Sequence, residues 1–490
     1  MQLLHHVKIH NTNNINKKKK TKDLTTGNLF VKILLFCIPL ALMGILQLLF
    51  NTADLIVVSR YSGDEEALGA IGSTTTLINL LVNLFMGLSV GTNVVTAKYF
   101  GEKNYDGIGR VVHTSILISI IFGFFLAIFG ITFCDSLLTL MHNDLELSRT
   151  YLKIYFIGMP FNLLYNFAAA ILRALGDTKR PMIYLTIGGI INVFLNLIFV
   201  IQFDLSVAGV AIATVISQVI SCILIMITLY RSHECYQFRF SKLIVSKKEL
   251  LEIIRIGLPA GVQSSIFSIS NVIIQSSVNL FGSSVMNGNT AATSVEGFVY
   301  TSMNSVYHAS LAFIGQNYGA KKIKNIKKVI IYCLIIVTMI ATVLGGSLFL
   351  LHDSVLGLYT NVPFEKDVAF IRLHYLCLPY FLCGIMDVMC GCLRGLGYST
   401  APLIVTIIGV VGFRISWIYL IFYNNLSDPL VYTDLNLLFV SYPISWIITF
   451  TVHVITYFIV RKRVYRKLDP TLELKKIPAW YHTGIFNLFS

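Results

Sequence analysis

The chain is short of charge. Of its 490 residues, 13% are charged and 55% hydrophobic, whereas a soluble domain carries about 25% charged residues. That composition excludes an ordinary water-soluble globular protein. Acids are the scarcer sign, with 24 Asp and Glu against 38 Lys and Arg, a formal net charge of +14. The 9 cysteines include no CxxC pair. Cys390 and Cys392 face different ways on a helix, so the cysteines read as small buried hydrophobes and not as metal ligands or disulfides. No Gly-rich phosphate loop ends in Lys-Ser/Thr, which excludes an ATPase domain. No nucleophile, base and orienting group share a pattern, so neither an enzyme nor a resident cofactor is expected. No apolar core precedes Leu29, so the N-terminus is not read as a cleaved signal peptide.

Long apolar runs fill the space that charge leaves. Each is about 20–30 residues, enough to cross a hydrocarbon core of about 30 Å as a helix. Twelve spans are expected, at 31–58, 67–97, 108–133, 147–172, 181–203, 205–230, 253–281, 288–316, 329–351, 368–393, 400–423 and 435–460. A membrane barrel would show short segments of alternating polarity, and these do not. The expected class is an all-α polytopic membrane protein.

The basic residues are distributed with the topology. In this reading, 32 of the 38 Lys and Arg fall on one side, and Arg60, Arg149, Lys153, Lys366 and Arg372 fall on the other. Arg414 is counted on neither side, because it lies deep within a span. The side that collects basic residues is the cytoplasmic one, which puts both termini in the cytoplasm, as an even span count requires. The positive charge is thereby explained by topology, and nucleic acid is not expected as a partner.

The sequence repeats at about 220 residues. Ile38-Pro39 returns as Leu258-Pro259, and Lys98-Tyr99-Phe100-Gly101 as Asn317-Tyr318-Gly319. Leu172-Arg173-Ala174-Leu175-Gly176, followed by Pro181, returns as Leu393-Arg394-Gly395-Leu396-Gly397, followed by Pro402. Six spans per half give parallel repeats, whose substrate sites lie near the midplane between the halves. The expected division is a basic N-terminal tail at 1–28, an N-lobe at 29–230, a cytoplasmic linker at 231–252, a C-lobe at 253–460 and a C-terminal tail at 461–490. Arg173 and Arg394 read as cations at helix C-termini, with a Gly to stop the helix and a Pro to open the next.

Three acids lie within spans: Asp54, Glu296 and Asp387. A charge in hydrocarbon costs several kcal/mol, so such residues usually mark an ion or substrate path. None is repeated in the other half. In the first half, Asn192 and Asn196 share a helical face at i and i+4, as do Thr214 and Gln218. One carboxylate with amide and hydroxyl oxygens suits Na+; the same carboxylate alone could carry a proton. Interhelical hydrogen bonding would use the same Asn and Thr residues. In the second half, Glu296, Tyr300, Asn304 and Tyr307 or His308 form a polar, aromatic stripe that suits an organic cation. A buried Arg needs a partner, and Arg414 is expected to pair with Asp387 or Glu296, leaving one carboxylate free.

These stretches, in order, resemble the multidrug and toxic compound extrusion (MATE) transporters over roughly residues 28–465. The resemblance rests on Ile38-Pro39 through Asp54 to Arg60, on Leu172 to Pro181, and on Asn192 and Asn196 with Gly209 to Thr214. It continues with Ala291 to Glu296, Gly315 to Gly319, and Met386-Asp387 before Arg394. It implies V-shaped N- and C-lobes that alternate access in a cell membrane. It implies secondary efflux of organic, often cationic, compounds in exchange for Na+ or H+, with membrane lipids and small substrates as partners and a monomer as the working unit. It assigns cation coupling to Asp54, Asn192, Asn196 and Thr214, the Na+ ligands being Asp54, Asn192 and Asn196 if Na+ is the ion. Substrate or proton binding in the C-lobe falls to Glu296, Tyr300, Asn304, Asp387 and Arg414. Some relatives carry Asp at the Asn196 position or an acid in the seventh span; here Val262 to Val278 holds no acid. The alternatives are a flippase for a lipid-linked precursor, which would want a cationic cavity, and a channel or receptor.

Overall fold

A computed structural model of the protein describes residues 22–61, 67–140, 146–427 and 431–469. The extreme tails expected at either end lie largely outside the described residues.

Every described element is helical, as burial in hydrocarbon demands of a chain whose backbone must satisfy itself. The first half runs α1 (Leu29–Tyr61), α2 (Ala67–Gly101), α3 (Tyr105–Thr132), short α4 (Cys134–Leu140), α5 (Glu146–Ile157), α6 (Met159–Ala174), α7 (Lys179–Leu197) and α8 (Ser206–Tyr230). The second half runs α9 (Lys247–Asn279), α10 (Ser283–Gly319), α11 (Ile323–Leu350), short α12 (His352–Leu356), α13 (Pro363–Cys377), α14 (Tyr380–Gly395), α15 (Thr400–Thr406), α16 (Phe413–Trp417), α17 (Leu435–Phe439) and α18 (Ser441–Leu468).

Among the described residues, nine helices are long and apolar enough to cross a membrane, or eleven if each of two bent pairs counts as one span. The remaining expected span is α10, a helix of 37 residues that carries the Glu296 stripe and is not among those apolar crossings. The bent pairs are α5 with α6 and α13 with α14, each broken by 47°. The sequence reading drew both as single runs. Pro160 and Pro379 stand at the two breaks, where a missing N–H and a ring clash interrupt the helical ladder. The kink therefore belongs to the repeat.

The repeated caps also match. Gly176 and Gly397 take φ of +83° and +88°, a conformation open to glycine and costly for a side chain. Behind them Asp177 N donates to Leu172 O (2.9 Å) and Tyr398 N to Leu393 O (3.0 Å), closing the orphan carbonyls of α6 and α14. The arginines before these caps are not simple exposed helix-end cations. Both are buried, and Arg394 donates to Gln263 Oε1 (2.7 Å) and to the Tyr307 hydroxyl.

The halves meet along a seam of backbone on backbone, where α2 crosses α9 and α10. A Cβ on Gly87 would stand 2.0 Å from Gly261 N, one on Gly261 2.0 Å from Leu84 O, and one on Gly101 2.0 Å from Gln316 O. Polar contacts continue the seam outward, with Asn83 Nδ2 donating to Ser268 Oγ (3.2 Å) and Ser265 Oγ to Leu80 O (3.2 Å). Small residues permit such approach, and van der Waals contact at short range supplies the association that apolar burial cannot supply in lipid.

A strap locks one end of this seam. Residues 22–28 were expected to belong to a free tail; instead Leu24 is 2% exposed. Lys22 N donates to Leu175 O (2.9 Å). Leu24 N donates to Gln316 Oε1 (2.9 Å), while Gln316 Nε2 donates to Ala174 O (2.8 Å). Asn325 Nδ2 and Lys322 Nζ donate to Thr25 O at 2.7 and 3.0 Å. One short stretch thus ties the end of α6 to α10 and α11. The linker is equally fixed: Tyr236 and Phe238 are buried, Ser246 N donates to Thr114 Oγ1 (3.0 Å), and Lys98 pairs with Glu252 (3.0 Å).

Gly261→Val tests the seam. Overpacking costs about 1–3 kcal/mol even where side chains can move, and here the obstacle is backbone. The expected result is a clear fall in the melting temperature of the detergent-solubilised protein. Gly346→Val, at a site with nothing within 4 Å, should leave it nearly unchanged.

Candidate functional site

Three of the spaces among the described residues are lined by the expected site residues. A small polar pocket of about 140 Å³ lies inside the N-half, lined by Asn51, Asp54, Asn166, Asn192, Thr214 and Gln218 among others. A cavity of about 560 Å³ lies between the halves and also reaches Asp54, together with Tyr151, Tyr155, Asn304 and His308. A chamber of about 600 Å³ lies inside the C-half, lined by Glu296, Tyr300, Asn304, Asp387 and Arg414. Asp54 borders the first two spaces and Asn304 the last two.

The N-half residues singled out by sequence converge. Asp54 sits near the C-terminal end of α1, opposite α7 and α8. Asn196 Nδ2 donates to Asp54 Oδ1 (2.5 Å), and the same nitrogen lies 3.4 Å from Asn192 Oδ1. Asn192 Nδ2 donates to Thr214 Oγ1 (3.3 Å). Asn196 is wholly buried, and its own Oδ1 has no hydrogen-bond partner. A buried acceptor without a donor costs free energy, and here it lies on the amide that holds the Asp54 carboxylate. The set offers a carboxylate, two amide oxygens and a hydroxyl, all hard donors suited to a monovalent cation or a proton. Sequence reasoning did not single out Tyr151 and Tyr155, which line the central cavity from α5.

The C-half differs from expectation. Glu296 is paired, but with Arg372. The Arg372 guanidinium donates to both carboxylate oxygens, at 2.5 and 3.1 Å, and to Asn289 Oδ1 at 2.9 Å. Arg372 was placed outside the membrane because it stands near the start of a span. The bend at Pro379 turns α13 so that this residue points into the lobe, where it is 7% exposed. Arg414 pairs with neither acid. Its Nε donates to Ser445 Oγ (3.0 Å), and its guanidinium stacks over the Tyr442 ring at 4.0 Å. Asp387 lines the chamber with no ion pair or hydrogen bond among the described residues. The stripe on α10 is upheld as geometry: Glu296 and Tyr300 face the chamber, Asn304 both spaces, and His308 the central cavity.

The MatE family model matches residues 39–198 and 259–420, once in each half and over more than half of the chain. The chain belongs to the MatE family. The probable multidrug resistance protein YoeA of Bacillus subtilis is 26% identical, over 85% of this chain and 90% of its own. The multidrug export protein MepA of Staphylococcus saprophyticus is 23% identical, over 79% and 86%. In fold the chain is similar to a solved outward-facing MATE family transporter of the MOP superfamily, with a TM-score of 0.81, 24% identity, and coverage of 91% of this chain and 98% of that one. The MatE protein described here is therefore a multi-pass membrane transporter of two six-helix lobes, and not an enzyme.

Removing one partner from a buried ion pair strands the other charge, at a cost of about 3–5 kcal/mol. Arg372→Ala should therefore lower thermal stability sharply. The double variant Glu296→Gln with Arg372→Gln should recover most of the loss. Melting curves of both singles and the double check this, and additive losses would show that the pair is not coupled.

Proposed function

We propose that this MatE protein is a secondary active multidrug efflux antiporter, exporting organic, chiefly cationic, compounds from the cytoplasm in exchange for Na+ or H+. The observation that carries the reading is the position of Asp54, between a small polar pocket of the N-half and the cavity separating the lobes, held by an amide with an unmet acceptor. Ion binding there changes the charge of a group that also faces the cargo space. Ion and cargo then compete for one carboxylate, and that competition is the coupling. Asp54, Asn192, Asn196 and Thr214 form the ion site. The lobes are residues 29–230 and 253–460, joined by the linker 231–252. The protein lies in the cell membrane with both termini cytoplasmic and works as a monomer.

The names of the relatives, multidrug resistance and multidrug export proteins, support small organic cargo. The lining of the central cavity supports cationic cargo: it contains the Asp54 carboxylate and, among the described residues, no Lys or Arg. A flippase for pyrophosphate-linked lipids would require the opposite sign there.

Asp54→Asn keeps the shape and removes the charge. In proteoliposomes it should abolish ethidium efflux driven by an imposed Na+ or pH gradient while leaving the melting temperature within a few degrees. The gradient that drives the wild type identifies the ion. Unchanged gradient-driven efflux in Asp54→Asn would defeat the proposal.

A further inference from the structure

The surface of the N-half carries a basic groove where α8 ends and the linker begins. Its volume is about 650 Å³, and Tyr230, Arg231, His233, Arg239 and Phe240 are among the residues that line it. Two arginines there are uncommitted. Arg231 makes no side-chain hydrogen bond among the described residues, and Arg239 uses only its Nε, which donates to Gln237 Oε1 (3.0 Å). Gln237 is held in turn by its Nε2, which donates to Tyr230 O (3.4 Å). The two terminal nitrogens of Arg239 have no acceptor among the described residues. Neither arginine forms a salt bridge with Glu234 of the linker or with any other described acid.

The loop that presents these groups is fixed from behind by α3. Phe238 is buried, its N donates to Leu229 O (3.1 Å), and its ring stacks on His113 at 5.5 Å. Arg239 N donates to His113 Nε2 (3.1 Å). An apolar stripe leads up to the groove. Ile223, Ile227 and Tyr230 are exposed at i, i+4 and i+7, which is one face of a helix. Phe240, 70% exposed, extends the stripe, its ring centroid 6.1 Å from that of Tyr230. α8 and α9 are both long and apolar enough to cross a membrane, so the linker between them lies at a bilayer surface. There an exposed ring sits at the level where chains meet headgroups, and a free guanidinium among the headgroups.

We propose that this groove binds one anionic phospholipid of the adjacent leaflet: its acyl chains lie along Ile223, Ile227 and Phe240, and its phosphate is taken by Arg231 and Arg239. Guanidinium forks pair with phosphate oxygens bidentately. A zwitterionic headgroup would bring its own cation into the same basic groove and lose by it. The groove shares no lining residue with the pocket and cavity that border Asp54, so the lipid is a resident partner and not cargo.

Native mass spectrometry of the purified full-length protein counts bound lipids directly. Titrated in detergent with phosphatidylglycerol or with phosphatidylcholine of the same chains, the wild type should bind its first phosphatidylglycerol about tenfold or more tightly. The double variant Arg231→Gln with Arg239→Gln should lose that preference, because two basic residues at an anionic surface account for about a factor of ten or more. Its retained phosphatidylcholine binding and an unchanged melting temperature show that it is folded. Phe240→Ser should weaken both lipids. Lys324→Gln with Lys328→Gln, which removes two exposed lysines of α11, should leave the preference intact. Glycerophosphate, the same phosphate without chains, should not displace the lipid at millimolar concentration. Equal binding of the two lipids by the wild type, or a preference that survives in the arginine variant, would overturn the site. So would an equal loss in the lysine variant, which would mark diffuse attraction, or displacement by glycerophosphate, which would mark a site for soluble phosphate. The efflux reading stands or falls separately from all of these results.

Discussion

A charge carried into hydrocarbon must find an opposite charge, a set of dipoles or a pocket of water. The interior of this protein uses all three. Glu296 and Arg372 close on each other and on Asn289. Asp54 takes a single amide and faces two spaces. Asp387 and Arg414 face a chamber large enough to hold solvent. The three degrees of neutralisation order the acids by readiness to change partners. The Glu296 pair fixes α13 to α10, whereas neither Asp54 nor Asp387 forms a salt bridge among the described residues. The competition proposed above would use groups of the second kind, mounted on a frame held by the first.

The frame needs rigidity at the seam and room beside it. Where α2 passes α9 and α10, glycine brings main chain against main chain. Contacts this close leave no free space, and the cavity between the halves lies elsewhere, spreading between Asp54 and His308. The bent pairs serve the same division. Each places its first segment, α5 or α13, at an angle to the segment that carries the capped Arg-x-Leu-Gly element. Tyr151 and Tyr155 on α5 and Arg372 on α13 thus reach inward from segments that a straight helix would have aimed elsewhere.

Much of this was legible in the residues. The repeat at about 220 residues announced two equivalent halves, because caps, breaks and glycines are set by local chemistry and recur wherever the same turn is needed. The i and i+4 spacing put Asn192 and Asn196 on one face without knowledge of the neighbouring helix; their grouping with Asp54 and Thr214 came from the family resemblance, and the structure places the four side chains together. The partner of Glu296 was not legible. Choosing between Arg372 and Arg414 depends on how far α13 turns at Pro379, and linear depth along the sequence put Arg372 outside. Nor was the orientation of Arg414 legible, because the π-helical stretches on either side of it, Ile407–Gly412 and Ile418–Phe422, shift the helical register and leave no mark in composition. α10 was drawn at 288–316 with the other apolar runs, although a helix that lines the chamber and the central cavity carries more polarity than those crossings do.

The strap at residues 22–28 has a consequence for how the chain is made. Its partners on α10 and α11 lie 292 to 300 residues later in sequence. At about 5–20 residues per second, they leave the ribosome roughly 15–60 s after the strap does. Throughout that interval Leu24 and the carbonyl of Thr25 have only water, and the first half stands in the bilayer with its glycine face uncovered. A segment synthesised before the first helix is therefore among the last to settle, and its docking reports that both halves have been inserted and joined.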